Sequence, residues 1–115
     1  DLIRAIADVS TRHDVLIATC GHAGDGNMHP AIVTPRGDEA AAERALLAFD
    51  DIMTTCLELG GTITGEHGVG LLKRAALGME VGKLSLEVQA RIKAAFDPQW
   101  ILNPGKSLNQ VSLAR

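Results

Sequence analysis

Aromatic residues are scarce in this chain: it has no Tyr, one Trp and two Phe, 3% of all residues. Positive charge is not in excess either, with 11 Lys and Arg against 14 Asp and Glu and a formal net charge of -3 at pH 7. Such a chain offers neither stacking platforms for bases nor a field to hold a phosphate backbone, which argues against nucleic acid as a partner. No apolar run approaches the roughly 20 residues that cross a bilayer. The start, Asp1-Leu2-Ile3-Arg4, lacks the basic stretch and apolar run of a secretory signal, so a cytoplasmic protein is expected. The two cysteines, Cys20 and Cys56, stand far apart and outside any CxxC arrangement. They suggest neither a disulfide framework nor a thiolate zinc site, and both are expected to be reduced core residues. Dinucleotide fingerprint, phosphate loop and Gly-x-Ser-x-Gly elbow are all missing.

What is present is the ordinary make-up of one soluble globular domain, 115 residues with 46% hydrophobic and 22% charged. The chain has no initiator Met, and a helical pattern begins at once, at Leu2. Both features suggest a piece of something larger.

Apolar residues at Leu2, Ile6 and Val9 predict an opening helix that ends near His13-Asp14. The β-branched run from Val15 to Cys20 suits a buried strand, and Ala31-Ile32-Val33 suits another. Between them Gly21-His22-Ala23-Gly24-Asp25-Gly26-Asn27-Met28-His29 interrupts all periodicity, and its Asp-Gly pair predicts a hairpin. Asp38 can cap a long helix with the stripe Ala45, Phe49, Ile52, Cys56, Leu59, closed by Gly60-Gly61. Thr62-Ile63-Thr64 reads as a third strand. Helical stretches follow from Leu72 to Leu77 and from Ser85, the second with Leu84, Val88, Ile92 and Phe96 in line and Asp97-Pro98 as its stop. The expected fold is α+β, in the order α-β-β-α-β-α-α: a partial ferredoxin-like antiparallel sheet, hairpin plus one strand, covered by helices. Three strands make a thin sheet with open edges, to be completed by a homodimer or by a missing segment.

Three of the four histidines, His22, His29 and His67, lie in glycine-rich segments, and His13 looks incidental. With a turn centred on Asp25-Gly26, His22 faces His29 directly on one side of the sheet. Directly opposed Cβ atoms lie about 4.5–5.5 Å apart, near enough for two imidazoles to share a metal ion. The alternative is a pair of polar surface residues beside a turn, and Pro30 marks the second strand as an edge or bulged. Asn27 serves either the turn or the site. In Gly65-Glu66-His67-Gly68-Val69-Gly70 an acid adjoins a base, and the glycines let the backbone bend so that both reach one cavity. Glu66 with the two histidines would complete a ligand set for a divalent metal and leave His67 as a free base. A plainer reading is a helix start, with Glu66 near the positive end of the dipole and His67 exposed. Lys73 either helps hold an anion at a helix start or belongs to a solvated cationic face.

These segments, together with Asp97-Pro98 and Ile101-Leu102-Asn103-Pro104-Gly105-Lys106, resemble the C-terminal domain of FAD-linked oxidases of the vanillyl-alcohol oxidase superfamily. The branch is that of glycolate oxidase, D-lactate dehydrogenase and D-2-hydroxyglutarate dehydrogenase, and the motifs fall in the same order from Gly21 to Lys106. The resemblance implies a D-2-hydroxy acid dehydrogenase with its divalent metal, commonly zinc, on His22, His29 and Glu66, and with His67 as catalytic base. It further implies that Asn27 and Lys73 serve the substrate and that Asn103 and Lys106 lie toward the flavin. FAD takes the hydride, and a quinone, flavoprotein or cytochrome takes the electrons.

On this reading residues 1–106 are the C-terminal part of the substrate domain and 107–115 a tail, with the FAD-binding domain absent. The fragment alone is then expected to be inactive, and the full enzyme cytoplasmic or peripheral at the inner membrane. Ala31 stands where dicarboxylate-using relatives carry a polar substrate contact, which favours a small 2-hydroxy carboxylate such as glycolate or lactate. The competing expectation is a non-catalytic metal-binding or assembly module that serves a larger complex.

Overall fold

The computed structural model describes residues 1–108, so the expected tail lies outside them beyond Leu108. The fold is α+β, with elements in the order α1 (Leu2–His13), β1 (Leu16–His22), β2 (Asn27–Val33), α2 (Glu39–Glu58) and α3 (Arg74–Phe96). They divide into two compact units, Asp1–Thr62 and the residues from Ile63 onward.

In the first unit α1 packs on α2, and the hairpin β1-β2 touches both helices. The core is built as the apolar spacing requires, with Ile6 and Val9 from α1 and Ala41, Ala48, Ile52 and Met53 from α2 buried. Asp38 caps α2 as expected, its carboxylate accepting from the Ala41 amide at 2.9 Å. At the other end the Gly60 and Gly61 amides donate to the Leu57 and Cys56 carbonyls, with Gly60 at φ 78°. The α2 stripe is turned from the expected one, since Leu59 at its end is exposed and Ala45, Phe49 and Cys56 are half-buried. Asp14 ends α1 in the left-handed region, at φ 51°.

Two expectations for the strands fail. β1 is not a buried strand: Val15 is buried, but Leu16 is 66% exposed and Cys20 lies at the surface rather than in the core. An apolar, β-branched run specifies extended backbone without specifying what covers it. The third strand does not form either, because among the described residues the sheet has two strands, β1 and β2. Thr62–Thr64 joins no ladder among the described residues, and the Ile63 amide donates to a Glu80 carboxylate oxygen at 3.0 Å.

In the second unit Ile63, Ala76, Leu77 and Ala90 are buried. The two expected helices are both present within Arg74–Phe96, parted at Gly82, whose φ of 71° and ψ of 168° are not helical. Its line Leu84, Val88, Ile92, Phe96 faces outward. Beyond it, Asp97 is 5% exposed and works as a turn cap. Its carboxylate accepts from the Lys93 ammonium and from the Ile101 and Leu102 amides, the last two at 3.1 and 3.0 Å. Lys93 also donates to the Leu102 carbonyl at 2.7 Å and lies 5.6 Å from the centre of the Trp100 ring. No described helix is long and apolar enough to cross a membrane.

Candidate functional site

The hairpin that carries His22, Asn27 and His29 is closed by the four residues Ala23–Gly26. The His22 carbonyl accepts from the amides of Asp25 and Gly26 at 3.2 and 3.0 Å, and the Asp25 carboxylate accepts from the Asn27 amide at 2.9 Å. Gly26 sits at φ 77°, in the left-handed region. Asp25 is thus committed to the turn, the usual use of an Asp beside a left-handed glycine. This loop sets a register different from the expected one: His22 pairs with Asn27 and His29 with Cys20. The two histidines are therefore diagonal neighbours rather than directly opposed.

A shift of two residues preserves side-chain parity, so His22, Asn27, His29 and Cys20 still share one face of the ribbon. The imidazoles meet edge to face, with ring centres 5.3 Å apart and planes at 87°.

In the second unit, Glu66 and His67 lie in an irregular segment ahead of α3. The Thr64 hydroxyl donates across it to the Gly68 carbonyl at 3.0 Å, and Gly68 and Gly70 take φ values of 75° and 57°. The bend brings the two side chains together, with Glu66 Oε1 3.6 Å from His67 Nε2 and both groups about half exposed or more. They are not at a helix start, since α3 begins at Arg74. Lys73 occupies the position just before α3, half-buried, its amide donating to the Val69 carbonyl at 3.2 Å.

Asn103 and Lys106 lie in the turn after Asp97, exposed. The Lys106 amide donates to the Asn103 carbonyl, and Asn103 adopts φ 48°, which Asn tolerates better than most residues. The same turn reaches back to the Glu66–His67 segment through the Ser107 amide to the Gly70 carbonyl at 2.7 Å, and to the start of α3 through the Arg74 guanidinium, which donates to the Gly105 carbonyl at 2.8 Å.

His13, which looked incidental, is not: its Nε2 lies 2.7 Å from an Asp51 carboxylate oxygen that Arg12 also contacts at 2.5 Å, joining α1 to α2. The His13 hydrogen bond and the Arg12 charge hold the Asp51 carboxyl below its usual pKa. The Lys93 hydrogen bond, with the Leu102 and Ile101 amides, does the same for Asp97.

The sequence model of the C-terminal domain of FAD-linked oxidases matches residues 1–107. The chain belongs to that family. It is 47% identical over 106 residues to glycolate oxidase subunit GlcD of Bacillus subtilis, covering 92% of this chain and 23% of that protein. Against glycolate oxidase subunit GlcD of Escherichia coli strain K12 it is 37% identical over 107 residues, 93% of this chain and 21% of the relative. The cytochrome-type mitochondrial D-lactate dehydrogenase of Kluyveromyces lactis is 38% identical over 106 residues, 92% of this chain and 18% of the relative. The chain thus spans about a fifth of the length of these relatives.

Proposed function

We propose that the chain is the metal- and base-bearing part of a flavin-dependent D-2-hydroxy acid dehydrogenase acting on a small substrate such as glycolate or D-lactate. His22, His29 and Glu66 are the protein ligands, two imidazole nitrogens and a carboxylate oxygen. That donor set suits Zn2+ or a similar divalent ion and leaves coordination positions open. The reading rests above all on the histidine pair, held edge to face on one face of a tightly closed hairpin.

Bound at these residues, the metal would supply Lewis acidity, lowering the pKa of a substrate hydroxyl. His67 is the base: an imidazole nitrogen takes the hydroxyl proton as the carbonyl forms, while the hydrogen on the same carbon leaves as hydride. FAD, held by another part of the enzyme, supplies the two-electron acceptor when bound. Lys73 offers a cation to the substrate carboxylate and Asn27 an amide on the histidine face, while Asn103 and Lys106 would serve the flavin side of the site. In this reading the enzyme works in the cytoplasm, or peripherally at the inner membrane, and passes electrons to a quinone or a partner protein.

Metal analysis tests the site. The chain purified after incubation with Zn2+ and desalting should retain close to one equivalent, and His22→Ala/His29→Ala should retain almost none. Equal metal in both would overturn the site. In the enzyme that includes the flavin domain, His67→Ala should keep its metal and lose about 100-fold or more in kcat, the usual worth of a positioned base.

A further inference from the structure

We propose that Glu80 is a positioning residue for the Glu66–His67 segment, acting through the backbone at Ile63. The inference rests on the reading that Glu66 ligates the metal and His67 is the base. The residues between α2 and α3 form neither helix nor ladder, so their backbone groups need other partners. Downstream, the Gly70 carbonyl accepts from the Ser107 amide, in the turn after Asp97 whose Gly105 carbonyl is held by Arg74. Within the segment Thr64 closes on Gly68.

Upstream, the Ile63 amide donates to Glu80 Oε2 at 3.0 Å. This is a charge-assisted bond, stronger than an amide-to-amide one. The Ile63 side chain is 3% exposed, which fixes the residue from its other side. Arg74 and Glu80 both belong to the part of α3 before the break at Gly82. One short helical stretch therefore ties the backbone upstream of Glu66 and His67 directly, through Glu80, and through Arg74 holds the turn that ties it downstream. Two glycines, Gly65 and Gly68, stand between the ties at Ile63 and Gly70. Without the upstream tie, ordering so flexible a stretch would come out of the free energy of metal binding.

Zn2+ titration by calorimetry on the full 115-residue chain tests this with two variants. Glu80→Ala should weaken Zn2+ binding about tenfold or more, as loss of a supporting hydrogen bond behind a ligand does. Glu80→Gln, whose amide oxygen still accepts from Ile63, should stay within about threefold of wild type. If Glu80→Ala does not fold, Glu80→Asp, one methylene short of the Ile63 amide, takes its place with the same expectation.

Amide NMR provides a readout independent of metal. Glu80→Ala should shift the Ile63, Glu66 and His67 resonances and lower their order parameters, and Glu80→Gln should not. If His22→Ala/His29→Ala binds Zn2+ as wild type does, the metal reading fails and the amide readout alone decides the role of Glu80. Glu80→Ala amides unchanged at Glu66 and His67, or Glu80→Gln as impaired as Glu80→Ala, would overturn the positioning role. So would unweakened Zn2+ binding in Glu80→Ala when the double histidine variant has lost it.

Discussion

At Gly21 the two strands of the hairpin come so close that a Cβ would collide with the Asn27 carbonyl oxygen and lie 2.9 Å from Met28 Cα. Both obstacles are backbone, so neither can swing aside. Gly24, three residues on in the loop, has open space where its Cβ would be. The two glycines of one motif therefore answer to different demands. Gly21→Ala should destabilise the chain by about 1–3 kcal/mol, the usual cost of forcing atoms into a filled site. It should also reduce zinc uptake, because the strand that must move carries His22. Gly24→Ala should stay within about 0.5 kcal/mol of wild type, as surface substitutions commonly do. Urea unfolding of the two variants side by side measures the contrast, and equal midpoints would contradict it.

The elements divide by how local their causes are. α1 and α2 can be read from the chain because spacing, the Asp38 cap and the Gly60 terminator lie within or beside the helices they define. The hairpin is equally plain, yet its register is not, since the Asp25 side chain binds the Asn27 amide inside a longer loop than the Asp-Gly pair suggests. Parity rescued the histidine pair: a slip of one residue would have turned one ring to the opposite face. The third strand fails for a non-local reason, because the partner of Ile63 is a side chain 17 residues away, in a helix. No local pattern announces such a bond, and Glu80 bears no motif.

The same distinction applies to α3, whose regular line of Leu84, Val88, Ile92 and Phe96 is exposed by 75%, 48%, 56% and 85%. Periodicity reveals a stripe but not its cover. Four aligned apolar side chains on one exposed face should drive concentration-dependent self-association. Ile92→Lys/Phe96→Lys should diminish that association in sedimentation velocity while changing stability by about 0.5 kcal/mol or less. Marked destabilisation would instead mean that these side chains belong to a core.

At the scale of the whole chain, each unit holds a paired carboxylate with a lowered pKa that links its stability to acid. Asp51 in the first is held by His13 and Arg12, and Asp97 in the second by Lys93 and two backbone amides. Both carboxyls have a folded pKa below their usual value. In the unfolded chain each would titrate near 3.9. Below that pH the unfolded state binds the proton more readily than the folded one, so protonation favours unfolding. The stabilisation from each pair is therefore fully present above the unfolded pKa and is lost as pH falls through the depressed folded pKa.

These two carboxyls should leave the melting temperature unchanged between pH 7 and about pH 5 and lower it steeply below about pH 4. Asp51→Asn and Asp97→Asn should each lower stability at neutral pH and make the acid decline shallower. Asp97→Asn should have the larger effect, because its carboxylate serves three donors from a nearly buried position while Asp51 remains partly open to solvent. Thermal melts of wild type, both single variants and the double variant across this range decide the matter. An acid decline in the double variant as steep as in wild type would show that other groups govern it.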